Sequence, residues 1–173
     1  MNRKTNALLC LAALGLLCST APRASAAEEA GDLKGELGGK QVTLKSVKTA
    51  EATMEKDDFA KDEEFGKSEL ATLVPCAIAF NADGTCEMTY ASSYKEGKLV
   101  EGELKEKGKW SVAGKDVKII EDANDDKKVD EAKDEKILLK DAAVADGTLT
   151  CAFSVQGSYT GGVEKLSYKV AEK

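Results

Sequence analysis

The sequence predicts an all-β protein: an antiparallel up-and-down meander closing into a barrel of about eight strands. Three observations carry that expectation. From residue 72 onward, short runs alternate apolar and polar residues, the period of a half-buried strand. Turn signals separate the runs, notably Asn81-Ala82-Asp83-Gly84, Ala113-Gly114-Lys115 and Ala145-Asp146-Gly147, where Gly and Asp tolerate positive φ. Finally, the alternating strands keep one charged face, as antiparallel sheets do, and closing the meander removes its edges.

Before the strands comes a leader. Arg3 and Lys4 precede an apolar run from Ala7 to Cys18, and a polar stretch with Pro22 ends at Ala24-Ser25-Ala26. That is the pattern of a secretory signal peptide cleaved after Ala26. The apolar run of about 12 residues is too short to span a bilayer, which takes about 20. Gly-Leu-Leu before Cys18 fits a lipoprotein anchor poorly. Export to a periplasmic or extracellular space is therefore expected, with residues 1–26 removed. Residues 27–40 (AEEAGDLKGELGGK) read as a flexible N-terminal lead-in, and 41–173 as a single barrel domain.

The leader takes Arg3, Lys4 and Arg23 with it. Of 25 cations, 22 would then face 31 acids, moving the net charge from −6 to −9. Such acidity argues against nucleic acid and anionic membrane as partners. No later segment is apolar for long enough to span a membrane.

Residues 41–48 (QVTLKSVK) suggest the first strand, with Val42 and Leu44 on one face. Residues 49–69 are acidic, with Met54, Phe59 and Phe65 as a weak apolar side; a short helix or a flap fits them. In 74–80, Cys76, Ile78 and Phe80 share a face, and in 85–94 so do Cys86, Met88 and Tyr90. If those faces form the core, Phe80 opposes Cys86 and Ile78 opposes Met88 across a five-residue hairpin loop. A weaker strand covers 98–105, and another puts Trp110 and Val112 on one face of 107–112. Residues 116–120 return with Val117 and Ile119. The run 121–136 (EDANDDKKVDEAKDEK) is a solvated charged loop. Further strands are expected at 137–144, at 148–156 with Leu149, Cys151, Phe153 and Val155 on one face, and at 163–170 with Leu166, Tyr168 and Val170.

The run Phe80-Asn81-Ala82-Asp83-Gly84-Thr85, followed by Gly108-Lys109-Trp110-Ser111-Val112, Gly114-Lys115, Val117 and Ile119, resembles the small secreted bacterial lipocalin-like domains. Gly39-Lys40 leading into Val42 and Leu44 is similar to their opening strand. The resemblance covers roughly residues 38–170 and implies a calycin-type barrel with no shared catalytic residues. The acidic loop and the cysteines depart from the family pattern.

Candidate sites are few. Cys76, Cys86 and Cys151 fall on apolar strand faces; two of the three could pair in an oxidising compartment, or all could be small buried hydrophobes. Tyr90, Trp110 and Phe153 are candidates to line a ligand cavity, with Tyr94, Tyr159 and Tyr168 as further aromatics. Asp122-x-Asn124-x-Asp126 begins like a calcium loop, but Lys127 stands where the sharp turn needs Gly, and Lys133 where a bidentate Glu belongs. Without a single histidine there is no imidazole for a catalytic triad or zinc site. Gly157-Ser158-Tyr159-Thr160-Gly161 is not a nucleophile elbow, and no glycine-rich phosphate loop is present. The residues thus point to a non-enzyme with no cofactor and no metal, probing either a small apolar ligand or a protein partner, as a monomer. The expected function is a secreted lipocalin-like binding module. The alternative is an interaction or inhibitor protein with a solid core, acting through its loops. A carboxylate-based hydrolase ranks last.

Overall fold

The structure, a computed structural model, describes residues 32–61, 72–95, 98–122, 136–158, 160 and 162–173. The leader, most of the acidic loop 121–136, Phe65 and Tyr159 lie outside the described residues. Eleven elements follow in order: α1 (Leu33–Leu37), β1 (Lys40–Thr49), β2 (Thr53–Glu55), α2 (Lys56–Lys61), β3 (Ala77–Phe80), β4 (Thr85–Lys95), β5 (Lys98–Ala113), β6 (Asp116–Glu121), β7 (Lys136–Ala145), β8 (Thr148–Val155) and β9 (Val163–Glu172).

All pairings are antiparallel, and each strand from β3 to β9 neighbours the next. β1 lies beside β3 and also pairs with β9 from Lys40↔Glu172 to Thr49↔Val163. That second pairing closes eight strands into a barrel, the expected fold class. β2 is a short extra strand on β1, through Val47↔Met54. β2 and β3 lie in line on the same edge of β1, so the chain leaves that edge after β2 and returns to it at β3.

The β3–β4 register is the one the alternation predicts: Phe80 opposes Cys86 and Ile78 opposes Met88. The turn between them is held by Asp83, whose carboxylate accepts from the Thr85 amide at 2.9 Å and the Thr85 hydroxyl at 2.7 Å. Those bonds lower the Asp83 pKa below its ordinary value. Gly84 completes the turn at φ 87°. Trp110 opposes Ile119 and Val112 opposes Val117, again as expected. β8 alternates without a break, burying Leu149, Cys151, Phe153 and Val155.

Three features differ from the sequence reading. First, residues 33–37 of the expected flexible lead-in form a helix. Asp32 caps it, its carboxylate accepting from Gly35 N at 3.0 Å. Leu33 and Leu37, four apart on one helix face, are buried in the barrel core. Second, the two strands expected at 98–105 and 107–112 are one 16-residue strand, β5. Gly108 continues it because a Cβ there would stand 2.5 Å from Ile120 O; glycine permits the close approach of β6. Third, β-bulges change the side-chain parity. A register shift between Leu44 and Ser46 turns Val47 into the core, and one between Lys140 and Ala143 does the same for Ala142. Asp141 takes φ 49° at the second bulge.

Candidate functional site

A barrel of this size offers two places for binding: its interior and its outer surface. Among the described residues, the inward-facing core side chains are closely packed. Phe80, Met88, Ile119, Leu139, Leu149 and Tyr168 are each 0% exposed. A side chain with no accessible surface touches neither bulk water nor any internal space that would hold one, so these layers of the barrel are packed solid. Phe80 meets Trp110 edge to face, with ring centroids 4.9 Å apart.

The three residues expected along a cavity wall are members of this core cluster: Tyr90, Trp110 and Phe153 are 3%, 5% and 6% exposed. The Trp110 indole donates Nε1–H to Asn81 O at 2.9 Å, which anchors the ring to the β3–β4 turn. The Tyr90 hydroxyl donates to the Glu121 carboxylate. Glu121 and Asp122 are buried where β6 ends. Of the calcium-like run, only Asp122 falls among the described residues. Among the described residues no group of three or more acidic or thiol side chains is arranged around a metal position.

Among the described residues the cysteines, Cys76, Cys86 and Cys151, are thiols, Cys86 and Cys151 buried and Cys76 half-buried. Cys86 stands on β4 opposite Phe80, and Cys151 on β8 opposite Leu166. Burial pushes both thiols up to about 12, in Cys86 with help from the Glu121 carboxylate. Burial also raises Cys76, against the opposing charge of Lys56. Thiols held above the physiological range are poor nucleophiles.

The outer surface offers grooves. The meander places the β3–β4, β5–β6 and β7–β8 turns, the C-terminus and α1 at one end of the barrel. Gly39 N donates to Phe80 O at 2.8 Å and Val170 N to Gly147 O at 2.8 Å, tying that end together. A groove of about 720 Å³ opens there between α1, the β7–β8 turn and the last residues of β9. Val144, Val170 and Ala171 supply apolar wall; Asp32, Glu36 and Glu172 supply carboxylates. Among the described residues lining it, Lys40 is the one cation, and it is paired with Glu172. A second groove, of about 310 Å³, has the opposite character, with Lys107, Lys109 and Lys173 around Thr85 and Glu87. Lys173 donates to Asn81 Oδ1 at 2.6 Å.

Sequence reasoning missed the first groove because it missed α1. The signal was present: Asp32 followed by Leu33 and Leu37 is a capping residue before an i, i+4 apolar pair. The surrounding glycines concealed it. Comparison with known families, with curated proteins and with solved structures finds no match to this chain.

Proposed function

We propose that this chain is an exported, non-enzymatic interaction module: a solid-core barrel of the lipocalin-like kind its turn motifs resemble. It holds no ligand inside and meets a protein partner with the outer surface at its α1 end. The observation that carries this reading is the complete inaccessibility of Phe80, Met88, Ile119, Leu139, Leu149 and Tyr168. A lipocalin-like binder needs an interior volume on the order of 300 Å³ or more for a small molecule. Making that room here means displacing several of these side chains, at about 1.5–3 kcal/mol of lost burial each. The solid-core alternative is therefore preferred to the interior binder. Export rests on the leader, Arg3-Lys4 to Ala26. The non-enzymatic reading is supported by the missing histidine and by thiols held protonated.

Native mass spectrometry of protein purified from its own compartment tests all of this. The expected species is the bare 27–173 chain. A stoichiometric apolar adduct would overturn the solid-core reading, and a retained residue 1–26 would overturn export.

A further inference from the structure

We infer that Asp146–Gly147, in the β7–β8 turn, is a site of spontaneous covalent modification where an aspartyl linkage converts to an isoaspartyl one, and that the fold protects Asp83–Gly84 from the same change. The inference goes beyond the solid-core reading and does not depend on it. It rests on a tetrapeptide that the chain uses twice, Ala82-Asp83-Gly84-Thr85 and Ala145-Asp146-Gly147-Thr148. Local sequence gives the two copies the same intrinsic chemistry, so a difference between them comes from the structure around each.

Aspartyl–glycyl linkages are prone to this reaction because glycine has no Cβ to hinder attack on the preceding side chain. The Gly147 amide nitrogen attacks Asp146 Cγ. The N–Cγ bond forms and a Cγ–O bond breaks. That oxygen departs as water, with one proton from the carboxyl group and one from the amide. Water then reopens the ring. Opening at Cγ restores the aspartyl linkage; opening at the main-chain carbonyl leaves Gly147 attached through Cγ. Water is lost and regained, so the change is an isomerisation and consumes no other reactant. Its product inserts the Asp146 Cβ into the main chain, beside the bond that Val170 N donates to Gly147 O at 2.8 Å.

The fold ties down the reacting groups at one copy and leaves them open at the other. At the β3–β4 turn the Asp83 carboxylate accepts from Thr85 N at 2.9 Å and from the Thr85 hydroxyl at 2.7 Å. Those bonds hold it to the residue beyond Gly84. The Gly84 amide is itself engaged, donating to Asn81 O at 3.1 Å. The same bonds keep the Asp83 pKa below its ordinary value, so the protonated carboxyl that can lose water is scarcer. At the β7–β8 turn, among the described residues, no hydrogen bond holds the Asp146 carboxylate or the Gly147 amide. Both residues are exposed. Ala145 pairs with Thr148, so Asp146 and Gly147 form the whole of a two-residue loop, with φ of 49° and 68°.

The test incubates the chain as exported in warm neutral buffer, in parallel with the same chain in guanidinium chloride, and follows its tryptic peptides over time. Residues 68–95 carry Asp83 and residues 141–165 carry Asp146. An isoaspartyl peptide separates from its parent at unchanged mass, and fragmentation distinguishes Asp146 from Asp141. In the unfolded chain both sites should convert at similar rates. In the native chain Asp146 should convert close to its unfolded rate. Asp83 should lag its own unfolded rate by about tenfold or more, the slowing expected if hydrogen bonds of ordinary strength must break first. Asp146→Glu should abolish the native product, because glutamate closes its larger ring far less readily. Thr85→Val, which removes the hydroxyl partner, should speed conversion at Asp83 and leave Asp146 as it was. The inference is overturned if native Asp146 stays unchanged while the unfolded chain converts, or if native Asp83 keeps pace with Asp146. An unchanged Asp83 rate in Thr85→Val overturns the protection assigned to that turn. Melting curves of each variant confirm that it is folded.

Discussion

The Tyr168 hydroxyl on β9 donates to the Pro75 carbonyl at 3.1 Å, spanning from the closing strand to the segment that enters β3. Those two places are 93 residues apart in sequence. The phenol is fully buried, and it carries the interrupted β2–β3 strand position onto the wall that completes the barrel. Replacing Tyr168 with Phe keeps the packing and orphans the carbonyl, a loss of about 1–3 kcal/mol. A lower urea midpoint at unchanged m-value is the expected reading; an unchanged midpoint would show that the bond contributes nothing.

Stability should fall in alkali, from groups inside the barrel. Cys86 and Cys151 are raised from 9.0 to about 12, and burial holds Tyr168 well above 10.0. The unfolded chain releases these protons first, so the folded state binds more protons above pH 9. Their contribution is intact below pH 9 and is lost as pH climbs through the folded values, at about 1.4 kcal/mol per pH unit for each group. Urea midpoints should be flat with respect to these groups at pH 7–8 and decline beyond 9. Cys86→Ala with Cys151→Ala should flatten the decline between 9 and 10; an identical slope in that variant would refute the assignment.

Thiol accessibility follows from the same burial. A disulfide-exchange reagent on the native chain should modify Cys76, the half-buried thiol, and reach Cys86 and Cys151 only in denaturant. Rapid modification of all three would contradict the burial of Cys86 and Cys151, and modification of only one thiol in denaturant would mean that the other two have become bridged.

Gly108→Ala should be among the most damaging surface-distant changes. The added Cβ would lie 2.5 Å from Ile120 O, 3.2 Å from Ile120 C and 3.3 Å from Glu121 Cα, all main-chain atoms of β6. Main chain cannot rotate away as a side chain can, so β5 and β6 must part. A loss of about 1–3 kcal/mol is expected, again read as a urea midpoint. A neutral result would show that the strands separate freely.

Phe80→Ala opens a cavity beneath the sole tryptophan. The expected cost is about 3–5 kcal/mol, with a change in Trp110 emission, because the edge-to-face neighbour at 4.9 Å is gone. Unchanged emission would place Trp110 in a different environment.

The strands were legible wherever local chemistry governed them. Asp83-Gly84-Thr85 builds its own turn through bonds two residues long, and the register of Phe80 against Cys86 follows from that turn and the period of two. The unbroken alternation of β8 needs no partner to be read. Composition also sufficed to set the acidity and the absence of imidazole chemistry. What the tertiary structure decided involves residues far apart in the chain. Whether Val47 faces in or out depends on a bulge against β9, which no period-two reading of β1 contains. The strands 98–105 and 107–112 read as separate until β4 is seen to pair without a break from Leu104 to Lys109. Tyr90, Trp110 and Phe153 have the same apolar faces whether a barrel is hollow or full; only the tertiary structure brings them into one buried cluster with side chains from eight strands. The groove likewise exists only because Leu33 and Leu37 dock α1 on the barrel, bringing Asp32 and Glu36 to Glu172 from the other end of the chain.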